Sequence, residues 1–281
     1  MLGRTLGRPF RESGLTWNGC RSCLLLSFDC DFPEDCQALP GVVAALGRHK
    51  LAASFACIGR WVQDYPDEHR AVTEAGHEVL NHTWSHPELV NAPGRFVSHR
   101  SDLNPREWPE LSAEEQRQEV ALCHEVVEKV LSYQMRGFRA PHFGKVSAEA
   151  VYPWLEELGL AYSSSVLATR GRRFGMPVWE GKILEIPVTT CPQHPHSSFD
   201  SWHAFYARGG WHRDDFAEVL VGRLEAAVEF GGLTNIYLDP KDVERLDLGR
   251  VLTWVAEAGD RCWAPTYSEF TDWYRGQATS P

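Results

Sequence analysis

The sequence lacks any apolar run long enough to cross a bilayer. Its longest early run is Leu24-Leu25-Leu26, whereas a spanning helix needs about 20 such residues. The early cations Arg4, Arg8 and Arg11 lead into no apolar stretch of about 7–15 residues, so no secretory signal is expected. A soluble, cytoplasmic protein without a membrane partner is the expectation. Positive charge is also in short supply: 28 Lys and Arg stand against 38 Asp and Glu, a formal charge of -10. That excludes a broad phosphate-binding surface, and with it a nucleic-acid partner. No GxGxxG or GxxxxGK[ST] opens a helix, which argues against a nucleotide fold. Internal repeats and linkers are lacking too. What is present, 43% hydrophobic and 23% charged residues, is the balance of a folded globular protein.

The eight cysteines are Cys20, Cys23, Cys30, Cys36, Cys57, Cys123, Cys191 and Cys262. The first four can be drawn as a four-thiolate zinc site, but a ribbon or finger repeats its close pair across a longer loop. Reduced, mostly buried thiols are the better expectation.

Apolar runs of strand length alternate with amphipathic stretches of helix length. Strands are expected at 23–28, 51–58, 77–81, 135–140, 160–166, 183–188, 233–238 and 261–264. Helices are expected around 39–46 and at 60–75, 112–131, 147–158, 214–230, 246–258 and 267–274. Ser112-Ala-Glu-Glu115 is a capping box, and Gly76, Gly159 and Gly231 mark helix ends. Such alternation implies an α/β fold with parallel strands and outer helices. Seven or eight units favour a closed or nearly closed barrel over a doubly wound sheet. Two long connections, 87–111 and 191–213, are rich in Pro, Trp, His, Ser and Asn. Loops of that length in a compact domain are usually functional or disordered, and their aromatics favour function.

Three strand ends carry chemistry. Ser27-Phe28-Asp29-Cys30-Asp31 sets two carboxylates at the C-terminal end of a strand, the catalytic face of a barrel. A turn with a helix N-cap is the plainer alternative. Asn81-His82-Thr83-Trp84-Ser85-His86-Pro87 puts two imidazoles four residues apart, on one face if the segment coils into a helical turn, which suits two ligands of one metal. With 12 His in the chain the pair alone is weak. Phe138-Arg139-Ala140-Pro141 offers an Arg that can hold a carboxylate ionised; its plain alternative is a surface Arg. His49, His69, His77 and His124 are expected to be solvent-facing or capping. Gln193-His194-Pro195-His196 is a weaker candidate for a second metal site.

In order along the chain, the segments SFDCD, NHTWSHP, FRAPHFG, AYSSSV, LEIPV and IYLDPKD resemble the polysaccharide deacetylase family, the NodB-homology domain of carbohydrate esterase family four. The resemblance covers about residues 23–275, leaving 1–22 as an N-terminal extension and 23–281 as a catalytic barrel. It implies a distorted (β/α) barrel of seven to eight parallel strands. It also implies one divalent metal ion, zinc first, with cobalt, nickel, manganese or iron as alternatives. Carried over by position, Asp29 is the general base, Asp31, His82 and His86 are metal ligands, and Arg139 orients Asp29. Trp84, Pro141, His142, Phe143 and Tyr162 are implied at the substrate groove. Where the family presents a late His as leaving-group acid, this chain has Asp239, with His142, His194 and His196 as alternatives; Ser163 stands where an Asp is usual.

The expected activity is removal of an N-acyl group, acetyl first, from an amino sugar or oligosaccharide. Hydrolysis of a small non-sugar amide, imide or formamide is the second expectation. A non-catalytic glycan-binding relative is the third.

Overall fold

A computed structural model describes residues 8–87, 106–141, 148–170, 173–207 and 209–277. The described residues open with α1 (Arg8–Ser13) and β1 (Ser22–Cys30), then α2 (Pro33–His49), β2 (Ser54–Cys57), α3 (Gly59–Asp64), α4 (Pro66–Glu74) and β3 (Glu78–Asn81). It continues through α5 (Ala113–Leu131), β4 (Gly137–Phe138), α6 (Ala148–Glu157), β5 (Tyr162–Ser163), β6 (Val178–Glu180) and β7 (Ile183–Glu185). The last elements are α7 (Phe216–Phe230), β8 (Leu233–Leu238), α8 (Leu248–Glu257), β9 (Cys262–Trp263) and α9 (Tyr267–Gln277).

Local chemistry explains the boundaries. The box at Ser112 forms as expected: Glu115 N donates to Ser112 Oγ, and Ser112 N donates to the Glu115 carboxylate. Gly159 and Gly231 sit at positive φ, 72° and 70°, just past α6 and α7, where a side chain would strain the left-handed turn. The single helix expected over 60–75 is divided at Tyr65, because Pro66 lacks the N–H that would continue α3 and starts α4 instead. β6 was not foreseen; three residues pairing antiparallel with β7 give too short a signal. His69 and His77 are buried rather than solvent-facing. The His69 Nδ1–H donates to Tyr65 O at 2.7 Å, and His77 packs 5.6 Å from the Phe55 ring.

The strands form one sheet in the order β6-β7-β5-β4-β3-β2-β1-β8, with β9 on β1. All pairs other than β6–β7 are parallel. The register levels the C-terminal ends: Cys30 opposes Cys57, Cys57 opposes Asn81, Asn81 opposes Phe138, and Phe138 opposes Ser163. Residues just beyond those positions therefore share one rim. The ladder is not closed, but its two sides meet. Thr189 N donates to Asn235 O at 2.7 Å, and the Asn235 amide donates to Ile186 O and Pro187 O at 3.0 and 3.1 Å. The α/β fold is a distorted barrel, closed through an asparagine rather than a strand pair.

All nine residues of β1 are buried, and their faces divide the core. Leu24, Leu26 and Phe28 pack with α2, α7 and α8 on the outside. Cys23 and Leu25 join Leu184, Leu233, Tyr162, Phe270 and Trp17 on the other side. Trp17 is fully buried, 6.0 Å from the Phe270 ring, and its indole N–H donates to Gly231 O. Among the described residues no helix is long and apolar enough to cross a membrane.

Closure through Asn235 makes a prediction. Asn235→Leu keeps the volume but strips the donors from two buried carbonyls, so stability should fall by about 2–5 kcal/mol. Urea unfolding should show it; a change under about 0.5 kcal/mol would mean that the seam needs no such link.

Candidate active site

The levelled rim brings the three motifs together. Asp29 lies near the end of β1, and Arg139 follows β4; both are buried, Arg139 completely. A buried guanidinium needs a partner for each of its five N–H groups. Here Nη1 donates to Asp29 Oδ1 at 2.6 Å and Ser27 Oγ at 2.7 Å. Nε donates to Ser164 O, and Nη2 to Ser164 Oγ and Tyr267 Oη. Tyr267 in turn donates to Asn235 Oδ1, so the closing asparagine and the arginine belong to one network. Burial pushes the Asp29 carboxyl up from its ordinary value, while Arg139 and His82 pull it down. The net rise makes it a stronger proton acceptor than an exposed Asp.

Beside it stand Asp31, His82 and His86. The Nε2 atoms of His82 and His86 are 3.2 and 3.5 Å from Asp31 Oδ1, and one ligand atom from each of the three residues can be chosen within 4.8 Å of the others. The imidazole pair does not sit on a helical turn, as the spacing alone suggested. Thr83 and His86 instead adopt positive φ, 65° and 51°, a conformation that non-glycine residues accept only when their surroundings enforce it. The enforcement is visible. Thr83 N donates to Asn81 Oδ1, and His86 N donates to Thr83 Oγ1. Ser85 donates through both N and Oγ to the Glu119 carboxylate, at 2.8 and 2.6 Å.

The donor set fits a divalent cation. Asp31 Oδ1 is buried and accepts no aligned hydrogen bond despite the two nearby imidazoles. The His82 Nδ1–H donates to Arg139 O at 2.8 Å, which leaves Nε2 as the lone pair facing Asp31, the usual support for a metal-ligating His. Burial pushes the Asp31 carboxyl up, but His86 and His82 outweigh it and hold it below the carboxylate range.

Asp239 follows β8, buried, with its N–H donating to Ser201 Oγ at 2.7 Å. Lys241 Nζ is 3.2 Å from Asp239, 3.3 Å from Asp35 and 3.9 Å from Asp242. One ammonium cannot neutralise so many carboxylates. Burial pushes Asp239 well above its ordinary value, and Asp35, Asp31 and Asp200 add to the rise against Lys241. Asp35 is likewise pushed up by burial, to about 7.

The groove residues fare differently. Tyr162 does not face a groove: it is fully buried, lies across Gly137, stacks on Tyr267 at 5.5 Å and donates its hydroxyl to Glu78 at 2.7 Å. Alternation along β5 sends it into the core. Trp84 is half-buried with its indole against Gly59, and Pro141 is buried beside the rim. His142 and Phe143, like 88–105 of the first long connection, lie outside the described residues. Ser163 is buried and its hydroxyl donates to Ser165 Oγ at 2.8 Å. His194 belongs to a cluster with Cys191, His203 and His212 rather than to the Asp31 group, and His196 to neither. The four-thiolate site drawn on Cys20, Cys23, Cys30 and Cys36 is not assembled among the described residues; the eight thiols are free, and all but Cys20 are buried. Ser27, Tyr267, Asn235, Glu119 and Lys241 were missed. Ser27 and Lys241 stood inside quoted motifs, while Tyr267, Asn235 and Glu119 contact the site across long sequence separations that leave no local signal.

A family model described as Polysaccharide deacetylase matches residues 18–162. A chitooligosaccharide deacetylase of a Bradyrhizobium species is 40% identical over 72 residues, 26% of this chain and 32% of that protein. A peptidoglycan-N-acetylglucosamine deacetylase of Listeria monocytogenes is 38% identical over 67 residues, 24% of this chain and 14% of that protein. The matched stretch thus spans about a third or less of the curated relatives' length. The crystal structure of a putative polysaccharide deacetylase from Mycobacterium smegmatis superposes with a TM-score of 0.73 at 19% identity, covering 95% of each chain. At that identity the likeness concerns the fold.

The Arg139–Asp29 pair yields a stability prediction. Arg139→Met strands a buried carboxylate and should cost about 3–5 kcal/mol, and adding Asp29→Asn should recover a substantial part of it. A double-mutant cycle in urea measures both; additive losses would mean that the two groups are not coupled.

Proposed function

The chain belongs to the polysaccharide deacetylase family, and on that footing we propose that it is a metal-dependent hydrolase removing an N-acetyl group from an amino sugar in an oligosaccharide or glycan. The observation that carries the reading is the buried Asp29–Arg139 pair set beside Asp31, His82 and His86 on one rim. The amino-sugar substrates named for the Bradyrhizobium and Listeria proteins support the substrate class. Residues 23–281 are proposed as the catalytic barrel and 1–22 as its extension, with Phe10 and Trp17 packed into the barrel's inner core.

Asp31, His82 and His86 would hold the cation, zinc first. When bound, such an ion lowers the pKa of water towards about 7 and polarises an amide carbonyl. Asp29, kept ionised yet basic by the opposition of burial and Arg139, takes a proton from the attacking water. Arg139 fixes the carboxylate's orientation with the donor that also ties it to Ser27. Asp239 is the group suited to protonate the departing amine: burial and the neighbouring carboxylates push its carboxyl well above the ordinary range, the direction a proton donor requires.

Three outcomes test this. Acetate should be released from N-acetylated chitin oligomers by the zinc-loaded protein, and Asp29→Asn should lower kcat by about 10²–10⁴-fold without loss of metal. His82→Ala with His86→Ala should abolish turnover and lower the bound metal by one ion per chain; an unchanged metal content would overturn the ligand assignment. Asp239→Asn should lower kcat by about 10²-fold and remove the alkaline limb of the pH profile, because a donor works only while protonated. The loss should shrink for nitro-substituted acetanilides, whose less basic leaving nitrogen depends less on a proton donor. Turnover of cyclic imides with no acetate from chitin oligomers would reassign the substrate.

A further inference from the structure

The second long connection, 191–213, is organised around four side chains that the mechanism does not use. Cys191, His194, His203 and His212 can each aim one ligand atom within 4.8 Å of the other three. Cys191 Sγ is 3.4 Å from His194 Nδ1 and 3.2 Å from His212 Nε2, and His194 Nδ1 is 3.1 Å from His203 Nε2. Tetrahedral zinc, with bonds of about 2.3 Å to sulfur and 2.0–2.1 Å to nitrogen, would space two nitrogens about 3.3 Å apart and nitrogen from sulfur about 3.6 Å. The observed separations are close to both. Pairwise hydrogen bonds, a thiol to one imidazole and one imidazole to another, account for two of these contacts. They do not account for all four atoms converging.

The surroundings are those of a built site. Cys191, His203 and His212 are buried, at 1%, 3% and 0% exposure, and His194 is partly covered by Trp211, whose ring lies 4.3 Å away. His194 N donates to Cys191 O, and Cys191 N to Ser197 O, so the Cys-x-x-His segment closes on itself as a tight knuckle. His212 donates Nδ1–H to Asp215 at 2.9 Å, which fixes the tautomer that points Nε2 at the sulfur. Phe199 stacks edge-on against His212 at 5.7 Å.

We propose that Cys191, His194, His203 and His212 form a second metal site, a closed zinc centre of structural type with one cysteine and three histidine ligands, which pins the 191–213 loop against the end of β8. One thiolate and three imidazoles match zinc by softness and by tetrahedral geometry. The four ligands leave no position for substrate, which separates this centre from the three-ligand group at Asp31. The loop it fixes reaches the rim: Tyr237 donates to Asp200 at 2.6 Å, Asp239 N to Ser201 Oγ at 2.7 Å, and Tyr206 to Asp242 at 2.9 Å. The proposal stands independently of the reaction assigned to the rim.

The test uses the full chain loaded with zinc. In the His82→Ala/His86→Ala variant, one zinc per chain should remain, and X-ray absorption at the zinc edge should show one sulfur and three nitrogens around it. A metal-free variant, or zinc without a sulfur neighbour, would overturn the site. Cobalt replacement gives a second readout, because a thiolate ligand produces a charge-transfer band in the near ultraviolet. The band should vanish in Cys191→Ser. In His203→Cys it should roughly double as a second thiolate joins, a gain that holds the proposal open to test if Cys191→Ser does not fold; an unchanged band would overturn it. Chelating the remaining zinc from the His82→Ala/His86→Ala variant should expose 191–213 to limited proteolysis. A loop that stays uncut would overturn the structural role.

Discussion

The interior of the barrel is organised around a buried cation, Arg139. Arg139 has no solvent to share its charge with, and removing a guanidinium from water costs several kcal/mol unless its donors find partners. Those partners come from elements far apart in the chain: Ser27 and Asp29 on β1, Ser164 after β5, and Tyr267 on α9. Tyr237 of β8 adds its ring face 5.4 Å away. Each contact is available only if the strands hold their register, because a one-residue slip would turn the side chain to the opposite face. Stability and the orientation of Asp29 are thus the same constraint seen from two ends.

That constraint explains what could be read from the sequence. The strand-end motifs were legible because each is contiguous and because parallel strands place their C-terminal ends together. β8 was read to its residue limits, 233–238, since six apolar-rich residues are bounded by glycines before and Asp-Pro after. Asp31, His82 and His86 were legible as a set through family resemblance, yet the turn that aligns the imidazoles was not. It depends on Glu119, which reaches it from α5. Tyr162 was misplaced for a related reason. Its motif ends a strand, but which face a residue takes is decided by alternation within a two-residue strand, too short to establish a period. The Cys191 cluster was legible only through His194, named with His196 as a weaker candidate for a second metal site; Cys191, His203 and His212 were not, since two of the four residues come from separate turns of a long loop.

Three carboxylates on the rim illustrate how position divides one residue type into different roles. Asp31, facing two imidazoles, is held below its ordinary value, while Asp29 and Asp239 are raised by burial. Asp29 keeps a cation in contact and stays available as an acceptor. Asp239 shares Lys241 with Asp35 and Asp242, so no full countercharge is left for it. Environments that push the pKa values of titratable groups apart are what allow one site to take up and give back a proton.

The placement of Asp239 also depends on the 191–213 loop, which is anchored in the core by Phe199, Ala204 and Phe205. Its backbone N–H is held by Ser201, and Tyr237 two residues before it is held by Asp200; both partners lie in the 191–213 loop. A loop of that length loses considerable conformational entropy on ordering. Between Cys191 and His212 the chain also folds around a knot of imidazoles, a thiol and aromatic rings. Fixing that knot fixes Asp200 and Ser201, and through them the end of β8. Where the resemblance implies a late histidine, the chain presents Asp239, its carboxyl pushed up by burial and neighbouring carboxylates, on a backbone held by Ser201 of the 191–213 loop.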